Sequence, residues 1–196
     1  MYCAVYQDQF KAGLRLPLHP LIRQILRFYD ISLAQIVPNG IRNIMGFMSL
    51  LKQHNREPSL LYFRRFFRIQ KARGSSEWYT FMSTYKSKVL GGLPDSNKSW
   101  KDLWFIVEAP WLDFDVEWNT APLVKKRNKW VKAEYSQEDE AWTCELVASL
   151  KGKNPKVSSL VTNTTINDYQ LRGEPFYRWH RNVVLMFLIF LLIVCR

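Results

Sequence analysis

Carboxylate side chains that could bind metal ions lie close together at Asp113, Asp115 and Glu117. A metal-dependent nucleic-acid transferase needs carboxylates from separate parts of the chain that converge on two ions. Here the carboxylates are neighbours in the sequence and are mixed with the aromatic residues Trp111, Phe114 and Trp118. The pattern favours an irregular segment whose aromatic side chains dock on a core, and it indicates no catalytic site.

Other metal-binding and nucleophilic side chains are few and widely spaced. They are His19, His54, His180, Cys3, Cys144 and Cys195. Their spacing is neither that of a zinc site nor that of a disulfide framework. A glycine-rich phosphate loop is also missing from the sequence. We therefore expect a non-enzymatic protein that uses no cofactor or metal ion and has no evident small-molecule substrate.

Basic side chains that could contact phosphate groups cluster in Pro58–Lys71, which contains no carboxylate. If this stretch forms one helix, Arg64, Arg65, Arg68 and Lys71 fall on one side of it at about 100° per residue. The aromatic side chains of the stretch fall on the other side and would face the core. Two interpretations follow: a core helix with a solvated basic face, or a surface for phosphates or an acidic partner.

A second basic run contains Lys125, Lys126, Arg127 and Lys129. Such runs are usually solvated loops. The more specific alternative is a nuclear-import or phosphate-binding patch.

The elements that must position these residues are predicted from hydrophobic periodicity, capping residues and turn signals. Helices are predicted at Pro20–Tyr29, Ile41–His54, Pro58–Lys71 and from Ser136 to Leu150, with a strong turn at Val37–Gly40 and a capping box between Ser32 and Gln35. Strand-like runs at Trp78–Met82 and Trp100–Val107 are predicted to form a small hairpin. The expected fold class is therefore mainly α (α+β), a compact helical domain with a small β-hairpin.

The predicted organisation has four parts. They are a lead-in at 1–11, a helical domain at 12–150, a polar linker at 151–175 and an apolar C-terminal helix at 176–196. The apolar run Val183–Cys195 alone would span roughly 20 Å as a helix, against about 30 Å of hydrocarbon. It could be a short membrane anchor, a helix packed on the domain, or a segment without a selected role. Membrane localisation is expected if the anchor functions, and nucleus or cytoplasm otherwise.

Composition supports a folded, strongly basic protein. The 196-residue chain is 47% hydrophobic and 15% aromatic, which is inconsistent with a largely disordered chain. Its net charge of +11 favours an acidic partner such as nucleic acid, a membrane surface or an acidic protein.

From about Phe10 to Trp118, the order and spacing of several motifs resemble the gypsy-type transposase domain of plant mobile elements. The residues that carry the resemblance are Pro17, His19, Pro20, Pro38, Pro58, Phe66, Phe67, Ser96, Asn97, Lys98, Trp100 and Lys101. The resemblance implies an origin in a plant retrotransposon or transposon, and it carries over no catalytic residues.

The leading functional hypothesis is a mobile-element protein that binds nucleic acid through the two basic clusters. The alternatives are a gag-like protein–protein assembly module that self-associates, and a membrane-anchored fragment of a decayed element. An enzyme would require a converging carboxylate or histidine cluster.

Overall fold

The computed structural model describes residues 2–75, 77–84, 88–109 and 134–173, and the elements below lie in these ranges. The helices are α1 (Gln7–Lys11), α2 (Pro20–Tyr29), α3 (Pro38–Gln53), α4 (Leu60–Phe66), α5 (Gln137–Leu150), α6 (Val157–Leu160) and α7 (Asn163–Asp168), with a 3₁₀ turn at Leu33–Gln35. The strands are β1 (Tyr2–Tyr6), β2 (Phe67–Lys71), β3 (Tyr79–Ser83) and β4 (Trp104–Glu108). This is an α+β fold, as the sequence predicted.

Helix α3 is the centre of the core, because nearly its whole circumference is buried. Phe47 on this helix packs against the rings of Phe63, Phe66 and Phe67, with centroids 5.4–5.7 Å apart. Such ring pairs add roughly 0.5–1.5 kcal/mol beyond the area that they bury. The aromatic residues of the third predicted helix therefore pack in the core, as expected.

Three predicted local features are confirmed. Helix α2 has the predicted bounds, and the imidazole Nδ1 of His19 caps it by accepting from the backbone N–H of Leu21 at 3.1 Å. Ser32 and Gln35 form the predicted capping box. Ser136 caps α5 and accepts from the N–H of Asp139 at 3.0 Å. Local capping chemistry therefore decides these ends.

The predicted turn at Val37–Gly40 is wrong, since α3 begins at Pro38. Proline is well suited to the first helical position, where its missing N–H has no intrahelical partner and its fixed φ suits the helix. The Pro-Asn-Gly sequence therefore starts this helix, three residues before the predicted start at Ile41.

The single helix predicted over Pro58–Lys71 is also wrong. Ser59 caps α4, which ends at Phe66, and the backbone is extended at Phe67 with φ −130° and ψ 147°. A continued helix would place the polar Gln70 next on the aromatic face, whereas a strand places Phe67 and Ile69 on one face. Both are 1% exposed, so the strand buries more apolar surface.

The predicted hairpin is wrong in its pairing, because the two strand-like runs do not pair with each other. Strands occur near both predicted positions, but β3 pairs antiparallel with β2, and β4 pairs antiparallel with β1. The fold thus has two separate two-stranded sheets, here called the hairpin sheet (β2–β3) and the terminal sheet (β1–β4). Strand β2 lies within the predicted helix Pro58–Lys71, and β1 lies within the predicted lead-in at 1–11.

The regions expected to flank the domain contribute to its core. Cys3 and Val5 of β1 are buried, although they fall in the predicted lead-in. Val157, Leu160, Ile166 and Leu171 are buried as well, although they fall in the predicted polar linker. That segment is polar in composition, and its few apolar side chains are the ones that reach the core. The apolar stretch 176–196 lies outside the described residues.

Candidate interaction surfaces

The basic row predicted on one helix is divided between two elements. Arg64 and Arg65 lie on α4, whereas Arg68 and Lys71 lie on β2. Side chains of a strand alternate between its faces, so residues three apart in β2 have opposite face positions. Arg68 is paired with Met82 across the hairpin sheet, and Lys71 is paired with Tyr79. The four basic residues therefore do not form one continuous row.

The two arginines of α4 contact aromatic rings of the protein itself. The guanidinium carbon of Arg64 lies 4.3 Å from the ring centroid of Phe28, and that of Arg65 lies 5.5 Å from that of Tyr135. Both arginines are half-buried. Burial raises the pKa of Tyr135, and the positive charges of Arg64 and Arg65 partly oppose this rise. These arginines therefore hold α4 against its neighbours.

The basic residues of β2 and of the loop that follows it are more exposed to solvent than those of α4. Arg68, Lys71 and Arg73 are all exposed. None of them lies within 4.0 Å of a carboxylate in the part of the chain that the structure describes. The second predicted cluster, Lys125, Lys126, Arg127 and Lys129, lies outside the described residues, and so do Asp113, Asp115 and Glu117.

The nucleophilic and metal-binding residues within the described ranges stand apart from one another. His19 caps α2, and burial lowers its pKa to about 4. Burial raises the pKa of the Cys3 thiol to about 12, so this cysteine is unreactive. Cys144 is a free and exposed cysteine. Across the described ranges, three or more His, Cys, Asp or Glu residues nowhere form a group that could hold a metal ion.

Polar contacts dock α5 onto α4. Arg56 pairs with Glu138 at 3.1 Å and lies 5.2 Å from the ring centroid of Trp142. The hydroxyl of Tyr62 donates a hydrogen bond to the Asp139 carboxylate. This bond, together with those from Ser136, holds the pKa of Asp139 below its usual range. The acidic start of α5 thus supplies carboxylates to the basic α4 region.

Asn97 and Lys101 of the family motif make contacts with other parts of the chain. Arg42 on α3 donates to the Asn97 side-chain oxygen at 2.6 Å, and Asn39 donates to the Pro94 carbonyl at 2.8 Å. These bonds fasten the loop before β4 to the start of α3. The ammonium group of Lys101 lies 3.3 Å from the ring centroid of Trp78, so Lys101 is engaged within the protein.

The sequence interpretation missed an exposed apolar surface on the terminal sheet. Its outer face presents Tyr2, Trp104 and Ile106, which are 63%, 56% and 50% exposed. The nearby Leu103 is 56% exposed. A signal was present, because the run Trp-Phe-Ile-Val is apolar on both faces of a strand. A two-stranded sheet that buries one such face exposes the other.

The sequence segment that contains β4 carries no excess of positive charge. The segment from Asp95 to Glu108 carries the basic residues Lys98 and Lys101 and the acidic residues Asp95, Asp102 and Glu108. The exposed apolar face is therefore not the source of the strong positive charge of the chain.

The match to a known family covers the first part of the fold. Residues 4–71 match a family model described as "Putative gypsy type transposon". This finding confirms the resemblance to the gypsy-type family over residues 4–71. The matched segment runs from β1 to the end of β2, whereas the Ser96–Lys101 motif lies beyond it.

Comparison with the curated proteins and with the solved structures found no match. None of the helices among the described residues is both long and apolar enough to cross a membrane. The predicted anchor Val183–Cys195 lies outside those residues.

Proposed function

We propose that this transposon-derived protein is a non-enzymatic protein–protein assembly module whose contact surface is the outer face of the terminal sheet. The observation that supports the proposal is the exposure of Tyr2, Trp104 and Ile106 on one face. Exposed aromatic and aliphatic side chains that lie together typically mark interaction sites. Tryptophan and tyrosine are also enriched among the residues that dominate interface energetics.

Charge separates this proposal from nucleic-acid binding at the same face. Affinity for a nucleic-acid backbone comes mainly from lysines and arginines that neutralise phosphates. In the sequence segment that contains Trp104, the acidic residues Asp95, Asp102 and Glu108 offset Lys98 and Lys101. An apolar face with balanced charge suits a protein partner better than a polyanion.

Site-specific photo-crosslinking tests this proposal. A photoreactive phenylalanine analogue replaces Trp104 in the full-length chain, and in a matched control it replaces Met82, which is 46% exposed on the hairpin sheet. We expect discrete protein adducts from position 104 that Ile106→Lys abolishes, and none from position 82. Adducts with nucleic acid at position 104, or the same protein adducts at both positions, would contradict the proposal.

A second candidate function, nucleic-acid binding, is favoured by the hairpin sheet. Arg68, Lys71 and Arg73 are exposed on or next to β2 and lack carboxylate partners in the described ranges. In this proposal they contact phosphates without reading sequence, and Lys125, Lys126, Arg127 and Lys129 could add to the same charge.

A titration at two salt concentrations tests this second candidate. Replacing Arg68, Lys71 and Arg73 together by Ala should weaken binding to duplex DNA. The salt dependence should fall by roughly 0.9 log unit per log unit of salt for each phosphate that is no longer neutralised. Replacing Arg64 and Arg65 by Ala is the matched control, because these arginines contact aromatic rings of the protein. Equal effects of the two variants would contradict the assignment.

Membrane association through Val183–Cys195 remains a separate proposal, supported by the apolar composition of that run. Carbonate extraction of membranes that carry the full-length chain or a chain ending at Asn182 tests it. If both chains stay in the soluble fraction, the anchor is ruled out.

A further inference from the structure

One edge of the terminal sheet is open within the described residues. Antiparallel strands alternate between residues that bond to the partner strand and residues that point away from it. The N–H of Gln7 donates to the Leu103 carbonyl at 3.0 Å, which fixes this alternation. Phe105 and Val107 therefore bond to β1, and the backbone groups of Trp104, Ile106 and Glu108 point away from it.

The other strand of this sheet, β1, packs against the 3₁₀ turn at Leu33–Gln35. The side-chain amide of Gln9 donates to the carbonyls of Leu33 and Ile36 at 2.9 and 2.8 Å, which holds the start of the chain against the 3₁₀ turn. Only β4 among the two strands can thus accept a further strand. The outward backbone groups belong to Trp104, Ile106 and Glu108, of which the first two also form the exposed apolar face.

Strand β4 has little of the usual protection of an edge, with Glu108 at its end as its one charged residue. Natural edge strands are commonly blocked by lysine, proline, a bulge or a covering element. Trp104–Glu108 contains neither lysine nor proline and pairs with β1 without a bulge. Unpaired backbone groups beside exposed apolar side chains make such an edge suitable for strand addition.

We propose that β4 pairs antiparallel with β4 of a second copy of the chain, around a two-fold axis at Ile106. This inference rests on the proposed assembly function and names its partner. Ile106 then faces its own counterpart, and Trp104 faces Glu108 of the second copy. All three outward-pointing residues take part in backbone pairing. The product is a four-stranded sheet in the order β1–β4–β4–β1.

Charge complementarity favours a second copy in this orientation. The turn before β4 carries Lys98, Lys101 and one carboxylate, Asp102, so it is net positive, and the strand ends at Glu108. Antiparallel pairing brings the acidic end of each strand to the basic start of the other. Parallel pairing would instead bring the two Glu108 side chains together, which is unfavourable. An isologous two-fold contact also closes on itself and gives a dimer instead of a fibre.

A cysteine at the predicted axis tests the register. Ile106→Cys is made in the full-length chain with Cys144→Ser and Cys195→Ser, while the buried Cys3 is kept. Facing residues of a hydrogen-bonded pair have Cα atoms about 5.5 Å apart, which is within disulfide range. Mild oxidation should give a covalent dimer from this variant and none from the matched Met82→Cys control. Equal cross-linking of both, or none at position 106, would overturn the inference.

Charge reversal at the same position tests the two-fold contact independently. Ile106→Lys and Ile106→Glu each place like charges on the axis, so each variant alone should be monomeric in sedimentation velocity. An equimolar mixture should form heterodimers at concentrations where the wild-type chain forms dimers. Circular dichroism checks that both variants fold. A monomeric wild-type chain would overturn the inference, and so would a mixture that stays monomeric.

The two proposals can fail separately. If the analogue at position 104 forms adducts with other proteins while the chain stays monomeric, self-pairing is wrong and the assembly surface stands. If position 104 forms no protein adducts and the chain is monomeric, both proposals are wrong.

Discussion

The two sheets have the same construction and different outer faces. Each consists of two antiparallel five-residue strands whose inner side chains join the core. The outer face of the hairpin sheet pairs Arg68 with Met82 and Gln70 with Thr80, whereas that of the terminal sheet presents Tyr2, Trp104 and Ile106. The comparison shows that two sheets with similarly buried inner faces can differ in the chemistry of their outer faces, one mostly polar and the other apolar.

The largest expected effect tests whether both sheets depend equally on the core. Phe81 of the hairpin sheet is fully buried and contacts the rings of Tyr29 and Phe63. Phe81→Ala should lower the free energy of unfolding by about 3–5 kcal/mol, because it removes a buried ring and leaves a cavity. Val5→Ala in the terminal sheet removes less volume and should cost less in urea denaturation. A larger loss at Val5 would reverse the comparison.

The next effect concerns the buried amides that connect each sheet to the helices. Asn43 donates to the Phe81 carbonyl at 2.7 Å, and Gln9 donates to two carbonyls near the terminal sheet. Replacing either residue by Leu should lower the free energy of unfolding by about 1–3 kcal/mol, because buried carbonyls lose their donors. Hydrogen exchange measures where the damage lies. We expect faster exchange in β3 for Asn43→Leu and in β1 for Gln9→Leu, and the opposite assignment would contradict the structure.

A smaller effect separates the packing arginines from the solvated ones. Arg64→Ala and Arg65→Ala should each lower the free energy of unfolding by about 0.5–1 kcal/mol, because each removes a cation from an aromatic ring. Arg68→Ala on the hairpin sheet should change it by less than about 0.5 kcal/mol, as is usual for a surface residue. Thermal unfolding of the three variants checks the order, and a larger loss for Arg68→Ala would contradict it.

The smallest expected effect concerns pH at the contact between α5 and α4. The folded state lowers the pKa of Asp139, mainly through the hydrogen bond from Tyr62. The stabilisation is therefore present above the ordinary aspartate pKa of about 3.9 and is lost as the pH falls through the lower, folded pKa. Tyr62→Phe should move the pKa of Asp139 back towards its ordinary value in an NMR titration. An unchanged titration would show that this bond does not set it.

Local sequence signals predicted much of the helical part. Pro20 and His19 fixed the start of α2, and Ser136 fixed the start of α5, because caps act over a single turn. The position of β3 was also predicted closely. The break between α4 and β2 was not predicted. Phe63, Phe66 and Phe67 fit a helical period, whereas Phe67 and Ile69 fit a strand period. The pairing with β3 decides between them.

The candidate surfaces were predictable only in part. The basic residues of β2 stay a prediction as a binding site, and their predicted arrangement followed from the mistaken helix. The apolar face of the terminal sheet was missed because β1 and β4 are far apart in sequence. No local pattern indicates that Tyr2 and Glu108 are paired.

The sequence by itself determined the likeness to the gypsy-type family, the capped helices and the strong positive charge, since these depend on residue types and short spacings. The tertiary structure alone decided which strands pair, which arginines pack on aromatic rings and which apolar side chains remain exposed. The physical reason is that burial is a property of three-dimensional neighbours. Trp104 and Phe105 are adjacent and equally apolar in the sequence, and only the pairing with β1 makes one of them face solvent.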